Sequence, residues 1–185
     1  MPGMTRASAD FDVIGELPVL RRYALALTRD PSDAEDLVQD ALVRAYDRRA
    51  AFDVTRDLRA WLLAILHNVF VDGVRSRRAE LIRIAAAGEV AHTHEPPAQE
   101  HSIRLAEVRA RFRALPEDQR AALHLVAVEG LSYADAAAVV GAPVGTLMSR
   151  LARARETLRR HDAGEARPRP GAHLRIVRGT DGHDG

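Results

Sequence analysis

Residues 131–160 read LSYADAAAVVGAPVGTLMSRLARARETLRR. A short run of small apolar residues ends at Gly141, and Pro143 stands where the first turn of a second helix would begin. Glycine permits the positive φ angle that a tight turn after a helix requires. Ala137, four residues before this glycine, is small enough to let two helices cross closely. The pattern predicts a helix-turn-helix.

The second helix of this motif is predicted to be apolar on one side and basic on the other. Its apolar face, at about 100° per residue, comprises Leu147, Leu151, Ala154 and Leu158. Residues 144–160 also contain five arginines and one glutamate. A basic outer face after a glycine turn is typical of a recognition helix in the DNA major groove. Charge alone would instead favour a solvated helix of a structural bundle; the turn chemistry favours DNA binding.

The composition excludes several function classes. The chain has 185 residues, 27 basic and 26 acidic, and all basic residues are arginine, so it is not a histone-like polycation. It has no cysteine, which excludes disulfides and thiolate metal sites. No apolar run reaches the roughly 18 residues of a membrane span, and the N-terminus does not resemble a signal peptide. We therefore expect a reduced, cytoplasmic protein.

The helical periodicity predicts an all-α fold of two small helical domains joined by a flexible linker, with the helix-turn-helix in the second domain. The linker is placed where Gly88, Pro96-Pro97 and three histidines interrupt the helical pattern. The predicted divisions are a first domain at 11–82, a linker at 83–103, a second domain at 104–161 and a disordered tail at 162–185.

The first domain contains two candidate interaction surfaces. A helix at 33–47, with Ser32 as its expected N-cap, carries an acidic face opposite its apolar stripe, which could contact a basic protein or simply aid solubility. On a second predicted helix, 58–78, polar residues Asn68, Asp72 and Arg75 are spaced so that they share one edge. Such groups can bond base edges, and the basic end of this helix could hold phosphates. Trp61 of the same helix is expected in the core.

Four segments together resemble the extracytoplasmic-function (group 4) sigma factors of bacterial RNA polymerase, in the sigma-70 family. They are DAEDLVQDALVRAY at 33–46, LRAWLLAILHNVFVD at 58–72, LPEDQR at 115–120 and PVGTLMSRLARAR at 143–155. The resemblance covers about residues 11–82 and 104–161, in the order of the family's regions 2 and 4. It implies a promoter-specificity subunit of RNA polymerase, a stress-response regulator rather than an enzyme, that needs no cofactor and no metal.

The resemblance also implies roles for individual residues. The 33–47 helix would dock on the clamp of the polymerase β′ subunit, and the 58–78 helix would melt and read the −10 promoter element. The second domain would bind the β flap and read the −35 element. The implied polymerase contacts are Glu35, Asp36, Gln39, Asp40 and Val43. The implied −10 contacts are Asn68, Asp72, Arg75, Arg77 and Arg78. The implied −35 contacts are Thr146, Ser149, Arg150, Arg153 and Arg155.

Regulation by an anti-sigma factor is a further implication of the resemblance, with no insertion into the membrane. Two positions depart from the family pattern. Met148 stands where many relatives have lysine or arginine, which predicts a missing phosphate or base contact. Asp72 is acidic on a surface expected to face DNA, which predicts an unusual −10 preference.

Other functions fit the residues less well. A dimeric helix-turn-helix regulator would leave the acidic face of 33–47 without a role, and a sigma mimic that sequesters an anti-sigma factor would not need the arginine face of 149–160. His92, His94 and His101 lack the spacing of a metal site. The remaining acidic residues near helix ends, Glu117, Asp118 and Glu129, are interpreted as charges at the helix dipole or in solvent.

Overall fold

The computed structural model of the chain describes residues 11–86 and 103–164, with side chains at 11–83 and 107–160. Over these residues the fold is all-α, as the periodicity predicts, with no strand. The seven helices are α1 Val13–Thr28, α2 Pro31–Asp47, α3 Leu58–Ala86, α4 Ile103–Ala114, α5 Glu117–Ala127, α6 Tyr133–Val139 and α7 Val144–Gly164, with a 3₁₀ turn at Arg49–Ala51. Most of the predicted linker and of the predicted tail lies outside the described residues.

The start of α2 differs from the sequence prediction. The N-cap is Asp30, whose carboxylate accepts hydrogen bonds from the backbone N–H groups of Ser32 at 2.8 Å and Asp33 at 3.0 Å. Pro31 occupies the first helical position, where its missing N–H costs nothing. The prediction of Ser32 as N-cap was wrong because an aspartate before a proline is an equally good cap, and it lies two residues earlier.

The helix-turn-helix is present as predicted. The Ser132 hydroxyl accepts a hydrogen bond from the Asp135 N–H at 3.1 Å and so caps α6. Gly141 has a φ angle of 61°, in the left-handed region that favours glycine, and α7 begins at Val144 immediately after Pro143. The turn therefore holds α7 at a defined angle to α6.

Helix α3 is longer than predicted, because it continues past 78 to Ala86. Its last turns contain mainly alanine, arginine and leucine or isoleucine, and alanine, arginine and leucine are strong helix formers. Trp61, expected in the core, lies half-buried at the other end of α3. Its ring packs against those of Phe52 and Phe11, with centroids 5.0 Å and 5.9 Å away.

The two helical domains pack directly against each other. Helix α1 contacts α5, and α3 contacts α6, so that buried residues from both domains form one continuous core. Helix α3 can pack against both domains because it is apolar around much of its circumference. One side carries Leu62, Leu66 and Phe70, and partly buried residues at helical spacing, such as Ala64 and Val71, lie on another.

Candidate nucleic-acid interface

Helix α7 presents a polar face to solvent because its apolar face is buried in the second domain. Leu147, Leu151 and Ala154 are buried against the rest of the second domain. The opposite side is exposed and includes most of the residues predicted to read the −35 element: Thr146, Ser149, Arg153 and Arg155. This arrangement can place side chains on base edges and phosphates of a major groove.

Arg150, the fifth residue predicted for this surface, lies on its flank. Its Nε atom is 3.2 Å from the Oδ2 atom of Asp118, on α5, and its side chain is largely covered. Asp118, near the start of α5, therefore holds the guanidinium of Arg150 in place on the flank of α7. This ion pair limits the freedom of Arg150 compared with the exposed side chains of Arg153 and Arg155.

Three of the predicted −10 contacts, Asn68, Asp72 and Arg75, are exposed and share one side of α3. Arg77 and Arg78 are also exposed, but Arg77 lies on the opposite side of the helix, towards α2. Asp72 is paired within the domain, because Arg44 of α2 donates from Nη1 to its Oδ2 atom at 3.1 Å. This pair offsets the negative charge of Asp72 on a surface that is predicted to face DNA.

The predicted polymerase contacts on α2 are also solvent-exposed. They are Glu35, Asp36, Gln39, Asp40 and Val43. Glu35 forms an ion pair with Arg21 of α1, with 3.0 Å between Nε and Oε1. Asp36 and Asp40 line a groove of about 160 Å³ between α2 and α3. Arg77, predicted to contact DNA, lines the same groove. The acidic face of α2 and the basic end of α3 are thus adjacent surfaces.

A buried carboxylate lies between the two domains. Arg22 of α1 donates from Nε and Nη2 to the two carboxylate oxygens of Glu129, at 3.1 Å and 2.8 Å. The Glu129 side chain is only 1% exposed, and its Oε1 atom is also 3.0 Å from Nε2 of His124. The interpretation of Glu129 as a dipole or solvent charge was therefore wrong: it is an ion-pair partner across the domain contact.

The protonation of this cluster follows from its burial. The bidentate hydrogen bond to Glu129 raises the pKa of Arg22, which stabilises the charged guanidinium. Burial lowers the pKa of His124, and this effect exceeds the opposite influence of Glu129. The imidazole is therefore neutral at pH 7.

A second arginine joins the domains without an acidic partner. The guanidinium of Arg120 donates to the carbonyl oxygens of Ala26 and Leu27, at the C-terminal end of α1, and to that of Leu115 in its own domain. Arg120 as a whole is 1% exposed. Helix ends leave carbonyl groups unpaired and carry partial negative charge, so a buried guanidinium is stabilised there. In the sequence, Arg120 is distinguished only as the last residue of the LPEDQR segment.

A third buried contact supports α1 on α3. The hydroxyl of Tyr23 lies 2.9 Å from Nδ1 of His67. Burial lowers the pKa of His67 to about 4, with a smaller effect from Arg150, and burial raises the pKa of Tyr23. The Tyr23 ring also packs against His124 of the second domain, at 5.4 Å between centroids. Tyr23 thus links both buried histidines.

Among the described residues, no cluster of three histidine or acidic side chains could hold a metal ion. His92, His94 and His101 lie outside that part of the chain. In the same ranges, no helix combines the length and apolarity needed to cross a membrane.

Sequence comparisons match both domains to one family. The sigma-70 region 2 family matches residues 14–80, and the sigma-70 region 4 family matches residues 105–158. The ECF RNA polymerase sigma factor EcfG of Rhodopseudomonas palustris is 42% identical over 148 residues, covering 80% of this chain and 81% of that protein. The ECF sigma factor SigC of Mycobacterium tuberculosis is 39% identical, covering 72% of each chain.

Solved structures with the same fold include sigma factors bound to regulators. RpoE of Bartonella quintana, in complex with the anti-sigma factor NepR, has a TM-score of 0.68 and 35% identity, covering 83% of this chain and 96% of that one. CnrH, in complex with the cytosolic domain of CnrY, has a TM-score of 0.59 and 28% identity, covering 88% and 92%.

Proposed function

Because this chain belongs to the sigma-70 family, as an extracytoplasmic-function sigma factor, we propose that its two domains divide polymerase docking and promoter reading as follows. Residues 11–82 bind core polymerase and the −10 element, and residues 104–161 read the −35 element. The chain acts as a transcription initiation factor that directs core RNA polymerase to a specific set of promoters, and it performs no catalysis of its own. Its place of action is the cytoplasm, where core enzyme and chromosome are available.

Polymerase docking is assigned to the acidic face of α2. Asp36 and Asp40 are exposed, unpaired with the basic residues of α1, and beside the groove that leads to α3. Exposed Val43 on the same helix offers an apolar contact at the centre of a charged surface. A polar rim around a small apolar centre is a common arrangement in protein interfaces.

Promoter reading is assigned to the exposed sides of α3 and α7. The observation that carries this proposal is the geometry of α7, which follows a glycine turn and keeps Ser149 and Arg153 in solvent opposite a buried apolar face. On α3, Asn68 and Arg75 have the donors and acceptors needed to hold an unstacked base.

The packed domains cannot span a promoter in their present arrangement. Elements centred 25 base pairs apart, at about 3.4 Å per pair, are separated by roughly 85 Å of duplex. A compact body of the described length has a radius of gyration of about 14 Å, hence a diameter of roughly 40 Å. We therefore place the packed form before promoter binding and expect the domains to separate when core polymerase docks them.

Control by an anti-sigma factor is the remaining part of the proposal. Two sigma factors with this fold, RpoE and CnrH, have been captured with the partners NepR and CnrY. A protein that binds the packed form of the present chain would oppose domain separation, because a ligand stabilises the state to which it binds more tightly.

The proposal is tested by reconstituted transcription with core polymerase on a promoter library, together with mobility-shift titrations at about 0.15 M salt. We expect specific opening with core enzyme and negligible specific binding by the isolated chain, because two weak sites help each other only when their spacing is held. Tight, sequence-specific binding by the isolated chain would favour a dimeric helix-turn-helix regulator instead.

A further inference from the structure

The first two turns of α7 leave three side chains free for a ligand. Val144 is 42% exposed and Met148 is 50% exposed, four residues apart and therefore on one side of the helix. Thr146 is exposed between them in the sequence. Each of these side chains ends in a methyl group, and Val144 and Met148 can form no strong hydrogen bond.

The other side chains of these two turns are already engaged. Leu147 is fully buried, and Arg150 is ion-paired with Asp118 at 3.2 Å. The Ser149 hydroxyl donates to the carbonyl oxygen of Gly145 at 2.9 Å. Hydrogen-bonded reading of bases by α7 therefore rests mainly on Arg153, with the Ser149 oxygen still able to accept a hydrogen bond.

The N-terminal residues of a recognition helix are the ones that reach base edges in the major groove. The apolar feature that bases present in this groove is the C5-methyl group of thymine. We propose that Val144 and Met148 determine −35 specificity by packing against thymine methyl groups. The proposal rests on the assignment of α7 as the −35 reader and adds the base and the atom that it selects.

The apolar side chain at position 148 has a direct consequence in this view. A lysine or arginine would contribute affinity for the phosphate backbone of any sequence. Methionine is unbranched and adapts its shape to irregular apolar surfaces, so it contributes only where a methyl group is present. Met148 is therefore expected to contribute sequence specificity rather than affinity for any DNA.

The test uses deoxyuridine, which is thymidine without the C5-methyl group. Holoenzyme reconstituted with the full chain is titrated against a promoter selected from a library, with each −35 thymine of either strand replaced in turn. We expect at least one replacement to weaken −35-dependent complex formation about fourfold, equivalent to about 0.8 kcal/mol for one buried methyl group.

Variants identify the side chain responsible. Met148→Ala or Val144→Ala should abolish the fourfold loss at the thymine that it contacts, whereas Met148→Leu should retain it. Val108→Ala, which shortens a valine on α4 that is 53% exposed, is the matched control and should leave every deoxyuridine effect unchanged.

The results that overturn this inference differ from those that overturn the proposed function. The inference fails if the −35 element contains no thymine, if all replacements are silent, or if the losses persist in both alanine variants, although the promoter still opens. If the wild-type chain neither binds core polymerase nor opens any promoter, the proposed function fails and this inference fails with it.

Discussion

Replacing Arg22 by alanine should release the second domain from the first. Arg22 makes two hydrogen bonds to Glu129, at 3.1 Å and 2.8 Å, and these are the charged contacts between α1 and the end of α5. The Glu129 side chain is 1% exposed, whereas that of Arg22 is 51% exposed. The variant leaves a buried carboxylate without its cation in the packed form, but it leaves a hydrated carboxylate once the domains separate.

The size of the effect follows from this asymmetry. Truncating one partner of a buried, hydrogen-bonded charge pair costs about 2–5 kcal/mol. We take the lower end, about 2 kcal/mol, because Arg22 is half-exposed and because His124 still contacts the carboxylate at 3.0 Å. At 1.4 kcal/mol per tenfold, the ratio of separated to packed molecules should rise about 30-fold.

The absence of cysteine makes this ratio measurable. Ala50→Cys in the first domain and Ala152→Cys in the second provide two exposed labelling sites for single-molecule energy transfer on the free protein. Arg22→Ala should increase the low-transfer population. Arg21→Ala is the matched control, because the adjacent Arg21 pairs at 3.0 Å with Glu35 of its own domain and should not change the distribution.

Two results would refute this reasoning about the domain contact. One is an unchanged distribution for Arg22→Ala, which would mean that the ion pair does not hold the domains together. The other is an equal shift for Arg21→Ala, which would mean that loss of any α1 arginine loosens the first domain. Circular dichroism of both variants checks that the helices remain folded.

Three further outcomes are expected. Arg153→Ala should weaken −35 binding by the holoenzyme about 5- to 150-fold, or about 1–3 kcal/mol for a bidentate base contact, without changing core affinity; equal loss of both would mean that this face is misassigned. Asp36→Ala should weaken core binding roughly fivefold, about 1 kcal/mol, in a pull-down titration where Glu107→Ala, on α4, has no effect. Burial lowers the pKa of His67 from 6.5 to about 4, so the buried imidazole is neutral in the folded state. The free energy of unfolding should therefore be at its full value above pH 6.5 and should fall by up to about 3 kcal/mol as the pH drops towards 4. Urea denaturation at a series of pH values should show this loss of stability, and the loss should be smaller in His67→Gln. If the free energy of unfolding of His67→Gln falls with pH as steeply as that of the wild type, other groups cause the loss.

The sequence by itself determined the helices and the faces that they expose. Apolar spacing and turn chemistry are local, so residues 131–160 were sufficient to predict a glycine turn at Gly141 and an exposed basic side on α7. The same reasoning predicted an exposed acidic face on α2. It failed where two local signals competed, as at the start of α2, where Asp30 rather than Ser32 is the cap.

Only the tertiary structure decided how the two domains meet. Glu129 was indistinguishable in the sequence from a solvent charge, because its partner Arg22 is 107 residues away. Arg120 bonds a carbonyl group of α1 that is 94 residues away, and no local pattern pairs the two. Local patterns record which side of a helix is apolar, but not which distant surface covers it. Long-range ion pairs and buried carbonyl contacts arise only when packing removes water from both partners at once.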